Sequence, residues 1–425
     1  MNNPLTAENE APVYFLNLTV ENVRCFGDKQ TLDLSDGNSK PARWTIILGD
    51  NGVGKTTLLK CLAALKSNID APYIDAPFGF SFNRFNDKGF IVLPTLYRGS
   101  LTSAKHTNIN NLIFSDEETI RLLDLTIYAY GASRRMGSGA LEESYHSDSG
   151  ANLFSEEISL INAVEWLLQA DYAVIKSSVA DGKPYFENRY ETVKNLLIDL
   201  LPDVENIRAK PITKTQSKPA IEFETPYGWV STRSLSLGYQ TLIAWMVDLA
   251  HRLIERYPDS DNPLEQPAIV LVDEIDLHLH PKWQRTVINH LTRILKKTQF
   301  IVTAHSPLIV QSAPDDANIV LLKRQGDQVI IHNNEEMIKG WRIDQVLTSD
   351  LFYLPSARPS EYDNYLKRKE KILSKPQLTL ADEQELEEIG KKLDELPIVT
   401  ENTSEDNEAM KLIRETAELL KQVQQ

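Results

Sequence analysis

Only two cysteines, Cys25 and Cys61, occur among the 425 residues. So few thiols exclude a disulfide framework and point to a reducing compartment, so the expected location is cytoplasmic. Long apolar runs are also missing. None approaches the roughly 18–20 residues of a membrane span, so no membrane partner or whole transporter is expected. The stretch from Met1 to Pro12 is polar and acidic, without the basic and apolar regions of a secretory signal. Positive charge is short as well: 45 Lys+Arg stand against 60 Asp+Glu, for a net charge of −15. That excludes a strongly basic nucleic-acid-coating protein but not a local basic patch. Disorder is excluded, because 42% of residues are apolar or aromatic and only 25% are charged.

The charge is unevenly placed. From Pro376 to Gln425 there are 13 acidic and 5 basic residues, so more than half of the net charge lies in that tail. The tail reads as a protein-binding appendage, with acidic amphipathic helices over 379–396 and 404–423.

What is present is an alternation of strands and helices. Residues 13–34 alternate in polarity around Gly27-Asp28 and predict a β-hairpin. Residues 44–48 predict a buried strand, followed by a helix from Lys55 to about Leu65. The run Leu122 to Tyr130 is apolar, and the stretch from Met136 to Ala151 reads as a mobile loop. Ser155, with Glu156 and Glu157, predicts the cap of a helix through Trp166 and Leu168. A second helix is expected from about Tyr190 to Leu201, then hairpin strands over 205–230 and a long helix over 235–256. A strand (268–272), a helix (282–297), a strand (299–303) and a strand pair (318–332) complete an α/β pattern.

Four motifs carry chemistry. Gly49-Asp50-Asn51-Gly52-Val53-Gly54-Lys55-Thr56 follows a strand and opens a helix, which is the context of a phosphate-cradling loop. Its glycines free backbone N–H groups for phosphates, Lys55 reaches the β/γ-phosphates, and the Thr56 hydroxyl suits Mg²⁺. Ala268 to Val272 is an apolar strand ending in Asp273-Glu274, with one carboxylate for Mg²⁺ and the other to activate water. Ser234 to Gln240 sets Ser236 and Gly238 at a helix start, a second anion site or an ordinary N-cap. Gln299 to Ser306 ends a β-branched strand with His305 at the same sheet edge as Asp273, where ligands bind in such folds.

Together these segments resemble the ATP-binding cassette (ABC) ATPases: GDNGVGKTT as Walker A, SLSLGYQ as signature, AIVLVDE as Walker B, and the His305 switch. FLNLTVENVRCF resembles the first strand of SMC- and RecF-type heads, and the DEIDLHLHP segment after Walker B resembles the OLD-like and RecF-like ATPases of bacterial defence systems. The resemblance implies a P-loop ABC-type head: a mixed parallel sheet, an N-terminal antiparallel β subdomain, a helical insertion and an acidic helical tail. It implies Mg-dependent hydrolysis of ATP to ADP and phosphate, with Glu274 as base, His305 as γ-phosphate sensor and Lys55 on the phosphates. Gly49, Asn51, Gly52, Gly54, Thr56 and Thr57 would line the nucleotide, and Thr56 and Asp273 the metal. It also implies a homodimer or higher homo-oligomer closed by ATP. Ser236 and Gly238 of one subunit would cover nucleotide held by the other, with Asp276 in the bridging D-loop. Leu237 departs from the glycine of the usual signature. Tyr130 to Arg135 occupies the Q-loop region, where Arg134 and Arg135 read as phosphate or DNA contacts or as a solvated pair. His278 and His280 alternate as candidate metal ligands, with no further Cys or His cluster nearby in sequence.

Residues 340–425 hold no Asp-x-Asp and no histidine, so the nuclease of OLD proteins is not expected there. Instead, Gly340 to Phe352 resembles the tail of Septu-type anti-phage ATPases, including retron-associated ones. In that family a separate HNH endonuclease works beside the ATPase. Trp341, Leu347, Leu351 and Phe352 either pack on the cassette or dock that partner. The expected organisation is 13–67 (β subdomain and Walker A), 68–204 (insertion), 205–335 (signature, Walker B and switch) and 336–425 (partner-binding tail). The favoured function is an ATP-gated regulator of an HNH effector in anti-phage defence, with a retron reverse transcriptase and its RNA/DNA as further implied partners. The alternative is a RecF-like DNA-binding repair or recombination ATPase without a nuclease partner, supported by Lys282, Arg285, Arg293, Lys296 and Lys297.

Overall fold

The computed structural model describes residues 12–67, 90–98, 126–138, 150–179, 182–214, 218–333, 341–352, 354, 356–357, 360–375 and 378–394. Backbone contacts divide the chain into residues 1–353 and 354–425. Most of the loop expected between Met136 and Ala151, and the helix expected over 404–423, lie outside the described residues.

The centre of the first unit is a six-stranded sheet. Its strands are β3 (Trp44–Gly49), β5 (Ile127–Tyr130), β9 (Ala268–Val272), β10 (Thr298–Thr303), β11 (Asn318–Gln325) and β12 (Gln328–His332). The order is β12-β11-β3-β10-β9-β5, parallel except for the β11–β12 hairpin. The sheet is covered on both faces, which explains its continuous apolar runs. Trp44, Ile46, Val270, Val272, Phe300 and Val302 enter one core, while Ile47, Ile269, Leu271 and Ile301 enter the other. Trp44 stacks on Phe300 across the central pair, with centroids 4.1 Å apart.

The second core packs helix α1 (Lys55–Ser67) with strands β1 (Val13–Glu21) and β2 (Gln30–Asp33), and β4 (Phe90–Arg98) pairs with β1 in the N-terminal sheet. β1 and β2 form the expected hairpin, with Asn17 opposite Asp33. The buried Gln299 amide ties this layer to the main sheet by bonding both Phe15 N and Phe15 O.

The first core is covered by α3 (Ala163–Lys176), α4 (Lys183–Leu200), α5 (Leu237–Arg256) and α7 (Val287–Ile294). A third sheet, β6 (Asn206–Lys210), β7 (Ala220–Thr225) and β8 (Gly228–Ser231), is the expected hairpin region and packs Ile207, Ile221 and Phe223 into this core.

Three helix boundaries differ from the expected ones. α3 begins at Ala163, not near Ser155. Its cap is Asn162, whose side chain accepts from Glu165 N at 3.2 Å. Ser155 instead ends the short α2 (Ala151–Phe154). Both are good N-cap types, so polarity alone could not choose between them. α4 begins at Lys183 rather than near Tyr190, opened by a left-handed Gly182 and by Pro184 in its first turn. The single helix expected over 282–297 is two, α6 (Pro281–Gln284) and α7, broken around Thr286.

Beyond α8 (Pro307–Gln311), helix α9 (Ile343–Thr348) places Val346 in the first core, and the turn after it adds Leu351, with Phe352 packed against the core. Trp341 is exposed, and its carbonyl accepts from Gln311.

The second unit contains α10 (Ser360–Leu373) and α11 (Leu380–Asp394). Only the latter was anticipated. A capping box opens α11: Thr379 Oγ1 accepts from Asp382 N, and Asp382 accepts from Thr379 N. Arg368 pairs with Glu385 across the two helices, and Ile372 and Ile389 are buried. Among the described residues no helix is long and apolar enough to cross a membrane.

Candidate nucleotide site

The site lies at the C-terminal ends of β3, β9 and β10. β3 runs into a loop whose glycines are conformationally required. Gly54 sits at φ 91°, and a Cβ there would lie 2.4 Å from Cys25 Sγ. Gly49 closes against Leu322 O, which a Cβ would meet at 2.7 Å. The loop therefore folds tightly between β11 and the β1–β2 turn. Asn51 and Gly52 form its exposed apex, and Thr57 is buried in the first turn of α1.

Lys55 is 6% exposed and points back over the loop. Its Nζ donates to Gly49 O at 2.7 Å and Asp50 O at 2.8 Å. Burial pushes its pKa down, while the Asp273 and Glu274 carboxylates oppose that shift. Thr56 Oγ1 donates to Asp273 Oδ2 at 2.8 Å, joining the loop to the end of β9. Two hard oxygens on neighbouring elements, one from a buried carboxylate, fit a Mg²⁺ ion that keeps several waters.

The β9 end is held from both sides. Thr303 Oγ1 donates to Asp273 Oδ1 at 2.7 Å and accepts from Glu274 N at 2.7 Å. Glu274 is half-buried and left-handed at φ 49°. Asp276 accepts from His305 N through Oδ1 and Oδ2, at 3.3 and 3.1 Å. Gln284 joins the same two segments: its Nε2 donates to Leu279 O and Asp276 O, and its Oε1 accepts from Ser306 Oγ at 2.6 Å.

Lys55, Thr56, Asp273, Glu274, Asp276 and His305 are therefore gathered at one edge. Ser236 and Gly238 stand apart. Ser236 is exposed at the start of α5 and makes no side-chain cap bond. Gly238 is buried, and a Cβ there would meet His278 O at 2.4 Å. Among the described residues no hydrogen bond joins either residue to the Lys55 group in one protomer. Leu237, between them, is 58% exposed.

Arg134 is neither a phosphate or DNA contact nor half of a solvated pair. It is 2% exposed and bonds main-chain carbonyls behind the site. A polar dipeptide after a strand gave no sign of that burial. His280 Nδ1 accepts from Lys282 N and caps α6. The basic stretch offered for DNA is broken into two helices, and part of it is neutralised: Arg293 pairs with Asp199 and Lys296 with Glu265. Thr303 and Gln284 were missed. Thr303 sits inside the quoted His305 segment, so its place at the strand end was the available signal.

This sheet order, with a phosphate-type loop after β3, carboxylates after β9 and a histidine after β10, is the arrangement expected of an ABC-type P-loop ATPase head. The family model described as "AAA domain, putative AbiEii toxin, Type IV TA system" matches residues 141–311, and one described as "AAA domain" matches residues 17–71. The chain is similar to the Septu protein PtuA of Bacillus mycoides (strain KBAB4), with 28% identity over 85% of this chain and 48% of that protein. It is also similar to the Retron Ec83 probable ATPase of Escherichia coli, with 32% identity over 43% of this chain and 31% of that one. It thus spans about half or less of the length of these two relatives. A solved SMC head bound to the C-winged helix domain of ScpA matches with a TM-score of 0.41 and 16% identity, over 75% of this chain and 97% of the other. In sequence the chain is similar to Septu and retron-associated ATPases, and its motifs are those of an ABC-type nucleotide site.

Proposed function

We propose that this chain binds and hydrolyses ATP and that nucleotide-driven association regulates a separate effector nuclease. The observation that carries the reading is the joined group Lys55, Thr56, Asp273 and Glu274 at one sheet edge. On nucleotide binding, Lys55 leaves its two loop carbonyls for the β/γ-phosphates, and the N–H groups from Asn51 to Thr57 surround them. Thr56 and Asp273, hydrogen-bonded to each other here, would hold Mg²⁺. When bound, that ion neutralises charge on the β- and γ-phosphates. Glu274 takes a proton from the attacking water, and His305 faces the γ-phosphate. The products are ADP and inorganic phosphate.

Among the described residues Ser236 and Gly238 complete no site within their own protomer, which supports a head-to-tail homodimer. In it each exposed α5 start covers the nucleotide held by the other copy. The likeness to proteins named for Septu and for a retron supports a defence role. We place an HNH endonuclease beside the ATPase, with a retron reverse transcriptase and its RNA/DNA as a further partner and the cytoplasm as the compartment. The partly neutralised basic stretch gives the DNA-repair alternative little support.

The test measures ATP binding and phosphate release, then co-purification with an HNH protein encoded beside this chain. Wild type should bind and hydrolyse ATP, and Lys55→Ala should lose binding by about tenfold or more, as expected for a lost charged contact. Wild type that binds no nucleotide would sink the reading.

A further inference from the structure

Arg134 lies behind the candidate site and does not reach the phosphate loop. Its Nη1 donates to Gly131 O at 3.2 Å and to Asp273 O at 2.5 Å, and its Nη2 donates to Glu274 O at 2.9 Å. The Trp245 ring lies 5.6 Å from the guanidinium carbon. Burial pushes the Arg134 pKa down to about 10, still above neutrality, so the group remains a cation.

The two carbonyls at the β9 end belong to the two peptide planes on either side of the Glu274 Cα. The other ends of those planes are also held. Glu274 N donates to Thr303 Oγ1 at 2.7 Å, and Ile275 N donates to Thr303 O at 3.0 Å. Both φ and ψ of Glu274 are therefore gripped, by Arg134 from the carbonyl side and by Thr303 from the amide side. The gripped residue is left-handed at φ 49°, a conformation that a non-glycine residue keeps only where its surroundings over-determine it. Arg134 is itself left-handed at φ 35°. The strain is spent where the direction of the Glu274 side chain is set.

We propose that Arg134 is a positioning residue for hydrolysis: its planar fork fixes the backbone of Glu274 and so aims that carboxylate at the attacking water. This rests on the hydrolytic reading above. Lysine keeps a charge but lacks the rigid fork that spans two adjacent carbonyls.

The test is steady-state hydrolysis and ATP binding by the full chain carrying Arg134→Lys or Arg134→Gln, with thermal melts alongside. Both variants should lower kcat by about 10- to 100-fold, as misaimed groups do. ATP affinity and KM should stay within about threefold, because the phosphate loop is untouched. A folded Arg134→Lys protein with wild-type kcat overturns the proposal. So does a change confined to KM, or loss of the folded state in both variants, either of which makes Arg134 a fold residue only. Wild type that does not hydrolyse ATP removes the hydrolytic reading and this one together. Active wild type with an unimpaired Arg134→Lys removes this one alone.

Discussion

The hydroxyl of Thr303 donates to Asp273 Oδ1 across 2.7 Å, joining the ends of two adjacent parallel strands at the point where chemistry is expected. The same oxygen accepts the backbone N–H of Glu274. Thr303→Val keeps the shape but strands both partners. Each buried polar group left unpaired costs about 1–3 kcal/mol, so a total loss of roughly 2–6 kcal/mol is expected. Hydrolysis should fall as well, while Thr303→Ser should keep both. Urea unfolding and phosphate release check the pair.

Gly238→Ala tests the seat of the α5 start. The added Cβ would lie 2.4 Å from the His278 carbonyl, and main chain gives way poorly. Forced overpacking of this kind costs about 1–3 kcal/mol. ATP-dependent association should be lost more completely than ATP binding, because the exposed Ser236 beside it moves with the helix. Sedimentation with and without ATP reads the first, and nucleotide titration the second.

His251 gives a pH prediction. Its ring is 2% exposed, with Trp166 Nε1 donating to Nδ1 at 3.2 Å and Arg189 3.0 Å from the same nitrogen. Burial first, and Arg189 second, push its pKa down to about 3. The folded state thus keeps a neutral imidazole, while the unfolded chain takes up a proton below its ordinary value of 6.5. Stability present above pH 6.5 is lost as pH falls toward 3, by up to about 1.4 kcal/mol per pH unit from this residue. His251→Gln should flatten that part of the stability–pH curve, measured by urea midpoints.

Much of this architecture was legible in the sequence. Buried parallel strands write themselves as short β-branched runs, so 44–48, 268–272 and 299–303 were readable with their chemical residues at the following turns. Helix starts were less legible, because Ser155 and Asn162 have similar local propensity and only the core decided that Trp166 and Leu167 should lead a helix from Ala163. The roles of Arg134 and Thr303 were hidden for another reason. Arg134 acts on main-chain carbonyls of residues distant in sequence, which leave no pattern of side-chain types to read, and Thr303 is marked only by its place at a strand end. Leu237 remained a visible departure, and the structure leaves it exposed beside Ser236.

In the proposed hydrolysis Glu274 activates the water that cleaves ATP. Glu274→Gln keeps the shape and removes the base. Its single-turnover hydrolysis rate, compared with wild type, tests the claim most directly. A drop of about 10²-fold or more is expected, with ATP still bound and the protein trapped in its associated form. Hydrolysis by Glu274→Gln at the wild-type rate would contradict the account.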